Sequence, residues 1–186
     1  MPHLIEIASS GRAKCRACGQ PIAKDVLRFG ERQPNAFGEG EMTLWFHLRC
    51  AAYTRPEPFL EALANAGAEG SVTRKEILDA DSLQAAAEFG IAHRRVPRVH
   101  GADRAPTGRA RCRHCKALIE KGSWRIALQF FEEYRFQPSG YIHVRCAQAY
   151  LETTDILDRV RHFTPELSAD DVDALGRALK DLPSNL

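Results

Sequence analysis

The stretch GRAKCRAC at residues 11–18 returns as GRARCRHC at residues 108–115, and this recurrence decides how the 186-residue chain is read. The offset is 97 residues, and it persists through Ile22/Ile119, Lys24/Lys121 and Arg28/Arg125. It becomes 96 for Trp45/Tyr141, His47/His143, Arg49/Arg145, Cys50/Cys146 and Ala51/Ala147, so one residue has been lost from the second loop. Self-similarity at a fixed offset marks a repeated structural unit.

Within each copy two residue pairs have the spacing of metal ligands. The first reads Cys15-x2-Cys18, 28 residues, His47-x2-Cys50; the second reads Cys112-x2-Cys115, 27 residues, His143-x2-Cys146. All six cysteines of the chain are used. Two ligands separated by two residues turn back on one ion and supply adjacent corners of a tetrahedron. Four protein ligands leave no open coordination position, so the pattern implies two structural Zn²⁺ ions per chain and no catalytic metal. His114, inside the second Cys-x2-Cys, reads as a solvent-facing loop residue, and His3, His93, His100 and His162 have no comparable partners.

The long gap between ligand pairs needs structure of its own. Residues 26–29, 43–46, 124–131 and 141–144 are aromatic-rich and β-prone, which predicts a small antiparallel sheet ending at each histidine. Helices are expected to open at the last cysteine, over 48–54 and 144–153. Further along, Phe59-Leu60-Glu61-Ala62-Leu63 starts an amphipathic segment that Gly67 and Gly70 interrupt, and Thr73-Arg74-Lys75-Glu76 reads as a capping box. Gly90 suits the C-terminal cap of a helix over 81–89. In the second copy Ser168 and Asp171 cap a helix whose Val172, Leu175, Leu179 and Leu182 form a one-sided apolar stripe, read as core. The expected fold class is therefore two tandem, small α+β zinc-stabilised domains, each a short antiparallel sheet plus helices around one structural zinc. They span residues 1–90 and 107–186, with a basic, proline-containing linker at 91–106 whose arginines either track phosphate or keep a tether soluble.

Composition bounds the function. The chain is 44% hydrophobic and 27% charged, as soluble globular proteins are. Domains near 90 residues have thin cores and lean on metal or disulfide staples. The N-terminus lacks the features of a secretory signal, and no stretch approaches the ~18 apolar residues of a membrane span. An intracellular protein without a membrane partner is expected, and in a reducing compartment cysteines at this spacing argue for metal rather than disulfides. The formal charge is only +2, and three thiolates with one Zn²⁺ carry a net negative charge at each site. Nucleic-acid binding must then rest on local clustering. Residues 11–32 hold six basic and two acidic side chains, and 107–125 hold six basic and one acidic. Clustered guanidinium groups beside a rigid sheet replace counterions on phosphates; the alternative for any one such run is a solvated charged face.

SGRAKCRACGQPIAKDVLRFG, followed by WFHLRC with Trp45 and His47, resembles the zinc finger of the poly(ADP-ribose) polymerases (PARP-type), also found in a eukaryotic DNA ligase. The resemblance covers residues 10–53 and 107–150 and rests on the long ligand gap, the Gly-Arg-Ala before the first cysteine, the Ile-x-Lys-Asp after the second and the Leu-Arg of the following strand. It implies recognition of DNA strand breaks, by holding phosphates and covering bases that a break exposes. It implies phosphate contacts by Arg12 and Arg28, with Arg109 and Arg125 in the same places of the second copy, and base stacking near Phe37 and on Met42. The second loop, FFEEYRFQPSGYIH, departs from the pattern, and Tyr134 and Phe136 are its candidates.

The expected function is zinc-dependent, sequence-tolerant binding of nicks, gaps or ends in DNA repair or damage sensing, with a separate repair enzyme as a further partner. The second reading is a zinc-stabilised protein–protein adaptor that does not touch DNA. A metal-dependent nuclease lacks its second, open metal site and its carboxylates. The two copies and their helical tails account for the chain, so no catalytic activity is expected. The Ala- and Arg-rich composition hints at a bacterial source, which implies a cytoplasmic, nucleoid-associated protein; a eukaryotic source implies the nucleus.

Overall fold

The computed structural model of the chain describes residues 2–35, 38–67 and 72–181. It divides into two units, one ending at Ala92 and one beginning at His93.

In the first unit β1 (Leu4–Ile7), β2 (Leu27–Pro34) and β3 (Glu41–His47) form an antiparallel sheet in the order β1-β2-β3. The sheet has two faces. Cross-strand Phe29 and Phe46 mark the inner one, where Phe59 of α2 (Pro56–Ala64) sets its ring against Phe29 at 5.7 Å, edge to face. Phe29, Phe46, Phe59, Ile5, Ile22 and Leu44 are fully buried there. The other face carries Arg28, Gly30, Thr43, Trp45 and His47, which alternate with the core residues as a pleated strand requires. Gly30 has a steric reason: a Cβ would stand 2.7 Å from the Trp45 ring.

The helix expected over 48–54 is α1 (Leu48–Thr54). The capping box forms, with Glu76 accepting from the Thr73 backbone N–H at 2.8 Å and its hydroxyl at 2.6 Å, but it caps a single 3₁₀ turn, Arg74–Glu76. The helix beyond it, α3 (Ala80–Ala92), runs through Gly90 instead of ending there. Gly90 is buried, and α3 packs against both α1 and α2. That packing outweighs the roughly 1 kcal/mol that glycine costs inside a helix.

The second unit repeats the plan with β4 (Val99–Arg104), β5 (Trp124–Glu132) and β6 (Arg135–His143) in the order β4-β5-β6. Residues 91–106, expected as a linker, instead hold the end of α3, a 3₁₀ turn at Val96–Arg98 and the whole of β4. Charged residues hide this strand: it buries Val99 and Ala102 while a bulge at Gly101 breaks the alternation. Gly101 has φ +143°, and a Cβ there would meet the Thr164 hydroxyl oxygen at 2.2 Å. The same hydroxyl accepts the Ala102 N–H at 3.2 Å. The helix expected over 144–153 is a 3₁₀ turn, Val144–Cys146, followed by α4 (Ala147–Leu151), closed by Glu152 at φ +65°. After α5 (Leu157–Phe163), Ser168 caps α6 (Ala169–Lys180) by accepting the Asp171 N–H at 3.1 Å. Leu175 and Leu179 of its apolar stripe are buried, Val172 is half-buried, and Leu182 lies outside the described residues.

Candidate metal centres and nucleic-acid face

Each sheet delivers a histidine at the end of its last strand, opposite a loop that folds back on itself. Cys15 and Cys18 lie in a turn closed by Gly19 N–H to Cys15 C=O at 2.8 Å; Lys116 N–H to Cys112 C=O at 2.9 Å closes its counterpart. The Arg16 N–H donates to Trp45 C=O at 2.9 Å, and the Arg113 N–H to Tyr141 C=O at 2.8 Å, which ties each turn to the strand that ends in the ligand histidine.

The ligand atoms of Cys15, Cys18, His47 and Cys50 lie within 4.8 Å of one another, as do those of Cys112, Cys115, His143 and Cys146. His47 Nδ1 is 3.4 Å from Cys18 Sγ and 3.9 Å from Cys50 Sγ, and His143 Nδ1 is 3.4 Å from Cys115 Sγ and 3.9 Å from Cys146 Sγ. Around tetrahedral zinc, with Zn–S of about 2.3 Å and Zn–N of about 2.0–2.1 Å, the S···N edge comes to about 3.6 Å. Both donor sets fit Zn²⁺ with Nδ1 as the histidine ligand. The other ring nitrogen fixes that choice: His47 Nε2 meets Pro21 C=O at 3.3 Å and His143 Nε2 meets Leu118 C=O at 3.1 Å. A histidine that donates Nε2–H to a carbonyl presents Nδ1 to the metal.

Crowding of the ligands also shifts their protonation. Hydrogen bonds with Cys18 and Cys50 hold the Cys15 thiol far below its ordinary value, whereas bonds with Cys15 and Cys18 push Cys50 far above it. His47 is raised to about 10, mainly by its hydrogen bonds with Cys15 and Cys18. In the second unit the backbone N–H of Ala117 lowers Cys115 to about 6, and burial pushes Cys146 up to about 12. A dication bound by three thiolates and a neutral imidazole displaces these protons, so metal affinity falls as pH falls.

The four arginines expected to contact phosphate separate into two kinds. Arg12 and Arg109 are exposed. Arg28 and Arg125 are each 7% exposed and are locked in a stack. The Arg28 guanidinium lies 3.6 Å from the centre of the Trp45 ring and donates Nε and Nη2 to Glu6, and Arg125 lies 3.6 Å over Tyr141 and donates to both carboxylate oxygens of Asp103. Reading the sequence missed Glu6 and Asp103. The signal was there, since the offset of 97 carries Glu6 onto Asp103 and Ala8 onto Ala105.

Of the residues expected to stack on bases, Phe37 lies outside the described residues. Met42 is half-buried on β3, across from Gln33. Tyr134 sits in the two-residue turn between β5 and β6, where Glu133 (φ +49°) and Tyr134 (φ +64°) both take the left-handed conformation of a tight hairpin. Phe136 packs on Phe131 across the strands at 5.0 Å. The shorter second loop is thus a hairpin paired from Gln129/Pro138 to its tip, beyond a bulge near Ala127.

Residues 6–88 match the family model described as the poly(ADP-ribose) polymerase and DNA-ligase Zn-finger region. The chain is 26% identical over 158 residues to the poly [ADP-ribose] polymerase of Drosophila melanogaster, a match that covers 78% of this chain and 16% of that protein. Poly [ADP-ribose] polymerase 1 of Gallus gallus is 29% identical over 135 residues, covering 68% of this chain and 13% of the relative. That of Caenorhabditis elegans is 44% identical over 50 residues, covering 27% and 5%. The chain therefore spans less than a fifth of the length of each of these relatives, and what it shares with them is their zinc-finger region. Among the described residues, no helix is long and apolar enough to cross a membrane.

Proposed function

We propose that this chain, which carries tandem zinc fingers of the poly(ADP-ribose) polymerase type, binds DNA at strand breaks and does so without chemistry of its own. The observation that carries this reading is a row of exposed cations on the ligand-bearing turn of each unit, beside its Cys/His cluster. Arg12, Lys14 and Arg16 surround Trp45 and Thr43 in the first. Zinc serves as a clamp: it fixes the arginine-bearing turn against the last strand.

In this reading Arg12 and Arg109 hold phosphates, while Arg28 and Arg125, oriented by their carboxylates and rings, stand behind them. An intact duplex stacks its bases on each other, whereas a nick, gap or end leaves a base face bare. Phe37 and Met42 in the first finger, and Tyr134 and Phe136 in the second, cover such a face, at about 1–3 kcal/mol per base. Binding is sequence-tolerant because phosphates and base faces carry no sequence information. The protein serves repair or damage sensing beside a separate repair enzyme, and its eukaryotic relatives favour the nucleus as its compartment.

Arg12→Ala with Arg109→Ala tests the assignment. A charge-assisted hydrogen bond contributes about 1.5–3 kcal/mol, so affinity for nicked DNA is expected to fall at least tenfold per finger, with both zinc ions and the circular dichroism spectrum retained. Unchanged affinity contradicts the assignment. A chain that binds no DNA but still captures a protein partner favours the adaptor.

A further inference from the structure

The cationic groove of the first finger holds more than the arginine that the resemblance assigns. Arg12, Lys14 and Arg16 are exposed, and they alternate with the half-buried or buried Ala13, Cys15 and Ala17. Backbone bonds fix that alternation: Ile22 N–H donates to Ala13 C=O and Cys15 N–H to Gln20 C=O, each at 2.8 Å. Three cations at every second residue then line one groove, with Gly19, Thr43 and Trp45 as its remaining walls beside Cys15. Lys14 pairs with Pro21 in an isolated antiparallel bridge, and Arg12 and Arg16 lie in the turns on either side of it, so the three cations are set apart along the chain and take separate phosphates.

The second unit keeps the row as Arg109, Arg111 and Arg113, all exposed and again alternating with Ala110 and the ligand Cys112. Thr43 has Ser139 as its counterpart at the offset of 96, and Arg113 donates to the Ser139 hydroxyl at 3.2 Å. In the first unit Arg16 and Thr43 line the same groove. Arg111 is steadied by the Lys116 carbonyl at 3.2 Å. Among the described residues, no carboxylate lies within ion-pair distance of any of the six cations, in contrast to Arg28 and Arg125, which are neutralised by Glu6 and Asp103.

We propose that Lys14 and Arg16 in the first finger, and Arg111 and Arg113 in the second, are further phosphate-binding residues, so that each finger grips the DNA backbone with an alternate-residue row of three cations across its first cysteine. This rests on the reading of the chain as a DNA-binding protein. Each neutralised phosphate contributes about 0.9 to the slope of log affinity against log salt, and loss of a cation elsewhere on the surface leaves that slope alone. The full zinc-loaded chain is titrated by fluorescence anisotropy against a nicked duplex at several salt concentrations, as wild type, Lys14→Gln/Arg16→Gln, Arg111→Gln/Arg113→Gln and, as a control, Lys75→Gln on the exposed 3₁₀ turn. Each double variant is expected to lower the slope by roughly 1.8 with two zinc ions still bound, and Lys75→Gln to leave it unchanged. A wild-type slope in the double variants, with binding intact, overturns the row alone. Failure of the wild-type chain to bind the nicked duplex overturns the reading beneath it.

Discussion

Complete chelation of the metal is expected to unfold both units. Structural zinc contributes on the order of 10–16 kcal/mol to the folding of small domains at neutral pH, and the whole stability of a domain this size is about 5–15 kcal/mol. The geometry explains why little would survive. The arginine-bearing turns are joined to their sheets by the ligands, by the backbone bonds of Arg16 and Arg113, and by the carbonyl that receives the histidine Nε2–H. Without the ion, three thiols and an imidazole crowd within 4.8 Å of one another in each unit. Circular dichroism should lose its native form on chelation and recover on re-addition of Zn²⁺. Cys15→Ser should unfold the first unit, leaving one zinc per chain in the second, and Cys112→Ser should do the reverse. Acidification should act as a chelator does, because the ligands bind as thiolates and neutral imidazole; this stability is present at neutral pH and lost as pH falls. A native spectrum after full metal removal contradicts the account.

The second large effect lies away from the zinc. Glu31 is fully buried on the inner face of β2, and Arg55 closes on it with two hydrogen bonds, at 2.8 and 2.5 Å. Gln33 adds a third at 2.6 Å. Removing Arg55 leaves the fully buried Glu31 carboxylate without its cation, and breaking a buried pair in this way costs about 3–5 kcal/mol, so Arg55→Ala should destabilise the first unit by that order. The repeat supplies its own control. At the same two places the second unit has Leu128 and Leu151, both buried. Glu31→Leu combined with Arg55→Leu should therefore be close to neutral, or stabilising by about 1–4 kcal/mol, as replacement of buried ion pairs by apolar residues often is. Zinc-saturated denaturant melts measure both. If the double variant is as unstable as Arg55→Ala, the pair has a role that its apolar counterpart cannot fill.

These particulars indicate how far the sequence was legible. The zinc ligands were fully readable, because Cys-x2-Cys and His-x2-Cys at one long separation recur and consume every cysteine. β2, β3, β5 and β6 were readable from their aromatic content. β4 was not: Val99–Arg104 contains a glycine bulge, and its Asp103 is paid for by Arg125, so the strand looks like charged linker. The burial of Glu31, Arg28 and Arg125 was hidden for the same reason, since a charge that is buried only because its partner is buried carries no local signal. The ligand atom of the histidine was hidden too, being set by a carbonyl 25 or 26 residues away.

Unequal loops remain the sharpest difference between the fingers. The second runs as a paired hairpin to Glu133 and Tyr134, with its phenylalanines packed on each other.

Preference for a discontinuity is read out by competition between one covalently closed circular DNA and the same circle carrying a single nick. Phosphate contacts are the same on both, so only the bared base distinguishes them. Stacking at about 1–3 kcal/mol predicts affinity for the nicked circle higher by roughly one to two powers of ten. Equal affinity for the two circles would contradict the account.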